Sequence, residues 1–261
     1  MSALKKFKFL MKSILSPKLF LRLLIIKRGN REPELKLLSI LTDKNKISID
    51  VGASEGLYTA PLYFYSNYCI AFEPRFDAVD ELKKMTSGLN PPIQIENFAL
   101  SNFSGTTELK IYPLEKGRST IEKSNLLEKD SQVRFEIIQV KRLDDYTFNN
   151  KVGFIKIDVE GQEEEVLRGA ENLLKKDLPN LLVEIEERHK KKSIANVISY
   201  LKAFGYSGYF LKDGSLNDIN KFDVNEHQNY NNLGKANKYI NNFIFVSNKN
   251  IPELNKLIKK I

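Results

Sequence analysis

The sequence predicts an α/β protein on a doubly wound, mostly parallel sheet of seven strands with helices on both faces, and three observations carry that prediction. Strand-like and helix-like segments alternate from Lys46 onward, the first strand runs into a glycine-rich turn, DVGASEG (Asp50 to Gly56), and the second ends on an acid, Glu73, just before Pro74. A chain of 261 residues suffices for one such domain (residues 46–261) behind an extension (residues 1–45). With 42% hydrophobic and 10% aromatic residues it has the composition of a folded globular protein. A single cysteine, Cys69, rules out a disulfide framework and a cysteine metal site, which points to a reducing, cytoplasmic setting.

The extension carries the charge. Residues 1–28 hold eight of the 41 basic residues and no acid, so 33 basic residues face 33 acidic ones in the remainder. A neutral body argues against a groove that tracks nucleic-acid phosphates. Ala3, Leu4, Phe7, Leu10, Met11, Ile14 and Leu15 recur at helical steps among lysines, and after Pro17 comes LFLRLLII (Leu19 to Ile26). Eight residues cannot span a bilayer, and the scattered charges do not form a secretory signal. Two readings stand side by side: docking on an anionic membrane, at its inner face, or an arm packed on the domain or on a second copy in a homodimer.

The elements follow in order. KISIDV (46–51) predicts a strand, 57–66 a helix, NYCIAFEP (67–74) a strand, and Asp77 caps a helix to about Ser87. PIQIENFAL (92–100) is a third strand. Residues 101–145 break the alternation with TELKIY and VRFEIIQVKRL, an inserted antiparallel pair around GRSTIEKSN. The pattern resumes with GFIKID (153–158), a helix from Gln162 to Lys175, NLLVEIE (180–186), a helix from Ser193 to Phe204, and the strands YSGYFL and NNFIFV. Residues 213–238, rich in Asn, Asp and Lys, read as a long surface loop.

The turn discriminates between ligands. A dinucleotide site asks for Gly-x-Gly-x-x-Gly, and here Ala53 and Ser54 stand where the middle glycine belongs. No Gly-Lys-Ser/Thr follows, which excludes a P-loop. Asp50 at the strand end would repel a phosphate but suits a cation, such as the ammonium or sulfonium of S-adenosylmethionine. Glu73 stands where an acid accepts ribose hydroxyls, and Asn97, Phe98 and Ala99 stand where an adenine would lie.

These residues resemble a family. DVGASEGLYT, AFEP, NFALSNFSGTTEL, KRLDDY, IKIDVEGQEEEVLRGA and LPNLLVEIE, in that order over residues 47–210, are similar to the FkbM methyltransferases. The resemblance implies a Rossmann-like class I methyltransferase fold, S-adenosylmethionine as cofactor, and O-methylation of sugars or related hydroxyl compounds. One departure is Ser54, where the family often has Asn. The cofactor set becomes Asp50, Gly52, Ala53, Ser54, Gly56, Tyr58, Thr59, Phe72, Glu73, Pro74, Asn97, Phe98, Ala99 and Asp158.

Ligands of parallel α/β sheets sit beyond the carboxyl ends of the strands. Asp158, Glu160, Glu184, Glu186 and His189 are therefore expected to converge at the transferred methyl, with Asp158, Glu160, Glu184 and His189 as the catalytic candidates. A protonated aliphatic hydroxyl is a poor nucleophile and needs a base or a cation. Glu163, Glu164 and Glu165 read as first-turn acids facing the helix dipole. No spacing marks a metal site; Mg²⁺ on Asp158, Glu160 and Glu184 is a secondary reading. Arg118, Ser119 and Thr120 in the insertion are placed to wall the acceptor pocket. The expected reaction is O-methylation of a saccharide or glycolipid. The alternatives are another small hydroxylated metabolite, or a non-catalytic protein that binds a nucleoside or a partner chain.

Overall fold

The run ISIDV forms β1 (Ile47–Val51), buried on both faces, as a central parallel strand must be. It lies in a computed structural model that describes residues 15–28, 32–113, 116–123, 133–233 and 238–250. The other strands are β2 (Tyr68–Phe72), β3 (Gln94–Glu96), β4 (Ala99–Leu100), β5 (Gly105–Ile111), β6 (Arg134–Lys141), β7 (Val152–Ile157), β8 (Asn180–Glu184), β9 (Tyr206–Lys212), β10 (Ser215–Asp218) and β11 (Asn242–Ser247). The main sheet has the order β10-β9-β11-β8-β7-β1-β2-β3. Strands β3, β2, β1, β7 and β8 run parallel, while β11 and the β9–β10 hairpin close the far edge antiparallel.

The sheet has eight strands where seven were expected, because β10 folds back on β9 from within the predicted loop. That stretch also holds a helix, Val224–His227, capped by the Asp223 carboxylate on Glu226 N–H. Its polar composition hid these short elements, which rely on Asp and Asn caps rather than on an apolar face.

The predicted third strand divides. After β3, the Asn97 amide donates to the carbonyls of Glu73 and Pro74, and the chain crosses into a second sheet of order β4-β6-β5. The insertion is therefore a three-stranded sheet, with β4 parallel and β5 antiparallel to β6. The predicted helix from Gln162 to Lys175 also divides, into Glu163–Arg168 and Glu171–Asp177. At the break a Cβ on Gly169 would stand 2.0 Å from the Ser101 carbonyl oxygen, so the chain passes that backbone on a bare glycine. The Asp144 carboxylate then accepts Asn172 and Leu173 N–H, capping the second piece from another part of the chain. Asp77 does not cap its helix either: Arg75 is the N-cap of Phe76–Thr86, and Asp77 pairs with the Arg75 guanidinium from the first turn.

Of the extension, Ala3 to Ile14 lies outside the described residues. Pro17–Arg28 is a helix that buries Phe20, Leu21 and Leu24 against the sheet's outer layer, in one core with Leu38, Leu41 and Leu62. A packed arm is thus seen for this part. Among the described residues no helix is long and apolar enough to cross a membrane.

Candidate functional site

The turn after β1 leaves the sheet at Gly52, whose φ is +79°. A Cβ there would stand 1.8 Å from the Asp158 carbonyl oxygen, so glycine lets the turn lie against the backbone leaving β7. Gly52 and Ala53 donate to the Phe72 carbonyl at the end of β2. Ser54, itself at φ +43°, donates its N–H to Glu73 Oε2 at 2.8 Å, and Arg75 N–H donates to Glu73 Oε1 at 2.9 Å. The buried Glu73 carboxylate thus ties two loops together. Burial raises its pKa, and the two amide bonds pull it back. Each oxygen keeps a second lone pair.

Beside this turn lies a cleft of about 420 Å³ counted to its open mouth. Gly52, Phe72, Pro74, Phe98, Ala99 and Asp158 all line it, and Ser119, Thr120 and Ile121 of the insertion form the opposite wall. Phe72, Phe98 and Ala99 give the cleft an apolar wall.

Eight expected cofactor residues do not line this cleft: Ala53, Ser54 and Glu73 lie in the two tied loops, and the other five have partners elsewhere. Asp50 is buried beneath the turn, takes the Thr59 hydroxyl hydrogen bond and does not line the cleft; burial raises it to about 6. Its alternation along β1 points it to the opposite face of the sheet from Ile49 and Val51. Thr59 serves as its partner, and the Tyr58 hydroxyl bonds Glu32 while its ring packs under Lys156. Gly56 packs on Leu82 and Met85 of the Phe76–Thr86 helix, and Asn97 is used as a brace.

The chemistry-bearing half lies at the ends of β7 and β8. Asp158 lines the cleft, and no hydrogen bond reaches its carboxylate among the described residues. Glu160, at φ +57° in the DVEG turn, puts Oε2 3.0 Å from His189 Nε2. Burial raises Glu160, and His189 restrains that rise. Burial lowers His189, but the contact with Glu160 and the charges of Glu160 and Glu186 together outweigh it and leave the imidazole above its ordinary value. The Thr120 hydroxyl donates to the Glu160 carbonyl at 2.8 Å, joining the insertion to this turn.

Glu184 and Glu186 are engaged by partners of their own. Glu184 faces Lys156 Nζ at 3.7 Å and accepts from Asn241 at 2.6 Å; burial and the Asp158 charge push it well above the carboxylate range. Glu186 is bound by Arg188 and the Tyr239 hydroxyl, which overcome burial and lower it. With Glu184 given to a lysine and Glu160 to a histidine, the three acids do not gather around a cation. Among the described residues no three metal-ligating side chains converge. Glu163 is not a solvated first-turn acid: it is buried, raised by burial to about 7, and accepts Gly161 N–H. Glu164 and Glu165 pair with Arg168 and Lys190.

Lys156 was missed. It is fully buried, hydrogen-bonded to Asn242 at 3.0 Å, and kept charged against desolvation by Asp158 and Glu184. The signal was one lysine inside the apolar strand GFIKID, where an uncompensated charge would be costly. Gln162 and Glu122, bonded at 2.7 Å beside the cleft, were also missed, and nothing local in the sequence marks them.

A mostly parallel sheet with a bare-glycine turn after its first strand, an acid after its second and a cleft between them is the frame of the Rossmann-like class I methyltransferases. Within that class, the Methyltransferase FkbM domain profile matches residues 50–207, and the chain belongs to that family. A methyltransferase FkbM from Methylobacillus flagellatus KT matches the structure with a TM-score of 0.52 at 15% identity, over 80% of this chain and 47% of that one. The chain spans about half the length of that protein. An rRNA methylase from Streptococcus thermophilus (TM-score 0.47, 13% identity) covers 82% of this chain and 93% of its own. A Streptococcus mutans protein in complex with SAH (0.48, 13%) covers 82% and 94%. At such identities the likeness concerns the fold. No curated protein matches the sequence.

Proposed function

We propose that the protein is an S-adenosylmethionine-dependent O-methyltransferase acting on a hydroxyl of a saccharide or glycolipid. The observation that carries this reading is the meeting of Gly52 and Asp158, a binding turn pressed on the strand whose next loop holds the Glu160–His189 pair. The residues fit the cofactor. The turn offers close backbone approach, Phe72 and Phe98 an apolar wall, Glu73 spare lone pairs for a ribose, and Asp158 a carboxylate for a cation. When bound, S-adenosylmethionine supplies a methyl group on a cationic sulfur.

The chain's own residues do the rest. Glu160 and His189 form a buried pair that can take the proton of an acceptor hydroxyl, since burial makes Glu160 a stronger base than an exposed carboxylate. Asp158 orients the reacting groups from the cleft wall, and such alignment contributes on the order of 7 to 11 kcal/mol in favourable systems. Ser119 and Thr120 border the acceptor side. An acceptor bearing a phosphate or carboxylate at the reacting hydroxyl would be repelled by Asp158 and Glu160, which favours a neutral polyol.

Two measurements test the two halves. Calorimetry should show binding of S-adenosylmethionine and S-adenosylhomocysteine; failure of both rejects the enzyme. Labelled methyl should appear on cell-derived glycans or glycolipids, and label confined to other products rejects the saccharide.

A further inference from the structure

The Pro17–Arg28 helix is apolar on two opposite sides. At ~100° per residue, Phe20, Leu21 and Leu24 fall on one side, buried on the domain, and Leu19, Leu23 and Ile26 on the other, 45%, 40% and 73% exposed. Domain packing accounts for the first side only. The outer residues follow i, i+4, i+7, a continuous stripe rather than scattered surface residues. Lys18 and Arg22 border it on one edge and Lys27 on the other, and the chain has no acid before Glu32.

A second feature adjoins the stripe. Lys18 and Arg22, one turn apart, stand at a hollow of about 620 Å³ counted to its open mouth, shared with Tyr63, Phe64, Tyr68 and Pro91. Lys18 Nζ lies 5.9 Å from the Tyr63 ring centroid, and the Arg22 guanidinium 5.2 Å from that of Phe64. The hollow has two cations, aromatic walls and no acid among its lining residues.

We propose that this helix face and the hollow beside it dock on an anionic lipid bilayer, with the stripe in the acyl boundary and a lipid phosphate between Lys18 and Arg22. An apolar stripe edged by cations is what an interfacial helix needs, because the aliphatic stems of Lys and Arg lie along the apolar layer while their heads reach the phosphates. Tyr63 and Tyr68 suit the headgroup level. The charge distribution selects the anionic leaflet over a neutral one, since all of the excess positive charge precedes Gly29. Because the inner side of the helix is packed on the domain, the bilayer would hold the domain through a rigid arm. The inference is independent of what the enzyme methylates.

Vesicle flotation of the full chain tests it, with phosphatidylcholine alone and with added phosphatidylglycerol. The protein should float with the anionic vesicles only and be released by salt. Binding should fall about fivefold for each of Lys18→Gln and Arg22→Gln. The double variant Leu23→Asp/Ile26→Asp should lose more than tenfold with an unchanged melting temperature, since both side chains face solvent. Equal flotation with both vesicles overturns the proposal. So does undiminished binding by the double variant, which would assign the membrane to residues 1–14. A wild-type dimer that the double variant dissolves, with no vesicle binding, would give the stripe to a second copy instead.

Discussion

The two halves of the strand-end site are built by different means. At β1 and β2, order comes from backbone hydrogen bonds: Gly52 and Ala53 on the Phe72 carbonyl, and Ser54 and Arg75 amides on Glu73. At β7 and β8, it comes from charges that restrain one another, Lys156 against Glu184 and Glu160 against His189, with Asp158 left open to the cleft. The first arrangement rests on backbone amides and makes a stiff seat. The second holds buried groups whose pKa values are displaced from their ordinary ones, as groups that move protons are. Binding and chemistry should therefore separate when each half is altered.

The largest effect belongs to the charged half. Glu160→Gln keeps the shape of the turn but removes the proposed base, and should lower kcat by about 10²- to 10⁴-fold with little change in cofactor affinity. In the wild type, the acid limb of kcat/KM should lie above the ordinary carboxylate range, because burial raises Glu160; Glu160→Gln should abolish that limb. A variant with wild-type kcat would move the base elsewhere.

Gly52→Ala comes next. Its Cβ would overlap the Asp158 carbonyl at a φ of +79°, so the turn must lift from β7. Expected are a loss of roughly 2 kcal/mol in stability and a cofactor affinity weakened at least tenfold, read by denaturant unfolding and calorimetry. Unlike Glu160→Gln, it should damage both halves, because this glycine is where they touch. Glu73→Gln is milder and local to the seat. An amide offers one acceptor oxygen where the carboxylate offers two, so either the Ser54 or the Arg75 N–H loses its partner. The KM for the cofactor should rise about tenfold while kcat holds; a fall in kcat alone would contradict the division.

The same division explains what could be read from the sequence. The seat was legible because its parts are contiguous: a strand, a turn with glycine at one end, and an acid before a proline. Gly52, Phe72 and Phe98 line the cleft, and Glu73 ties the two loops beside it. Asp50, Tyr58 and Thr59 lie in the same motif yet face away from the cleft, because the two-residue alternation of β1 and the turn of the following helix send them beneath it. Motif membership does not say which way a side chain points. The charged half was legible as a set of residues but not as a set of pairs. The partners of Glu160, Glu184 and Glu186 are His189, Lys156 and Arg188, and only Arg188 is close in sequence to its acid. The splits at Asn97 and Gly169 answer to contacts with Glu73 and Ser101 that no local pattern announces.

A last prediction, read in stability alone, asks how far the charged half extends. Glu34 belongs to the segment before β1 and is buried near Tyr58 and Lys156. Desolvation raises it to about 7, with Glu32 adding to the rise and Lys156 opposing it. The folded state therefore holds a proton that the unfolded chain releases near pH 4.5. The stability this contributes is complete below that pH and is lost as pH rises through about 7. Glu34→Gln cannot release the proton, so its stability relative to wild type should improve by about 3 kcal/mol between acid and alkaline conditions. Denaturant midpoints of both proteins on either side of that window measure the difference. A change of opposite sign would mean that Lys156 holds Glu34 ionised, and would extend the charged half of the site into the N-terminal segment as an ion pair.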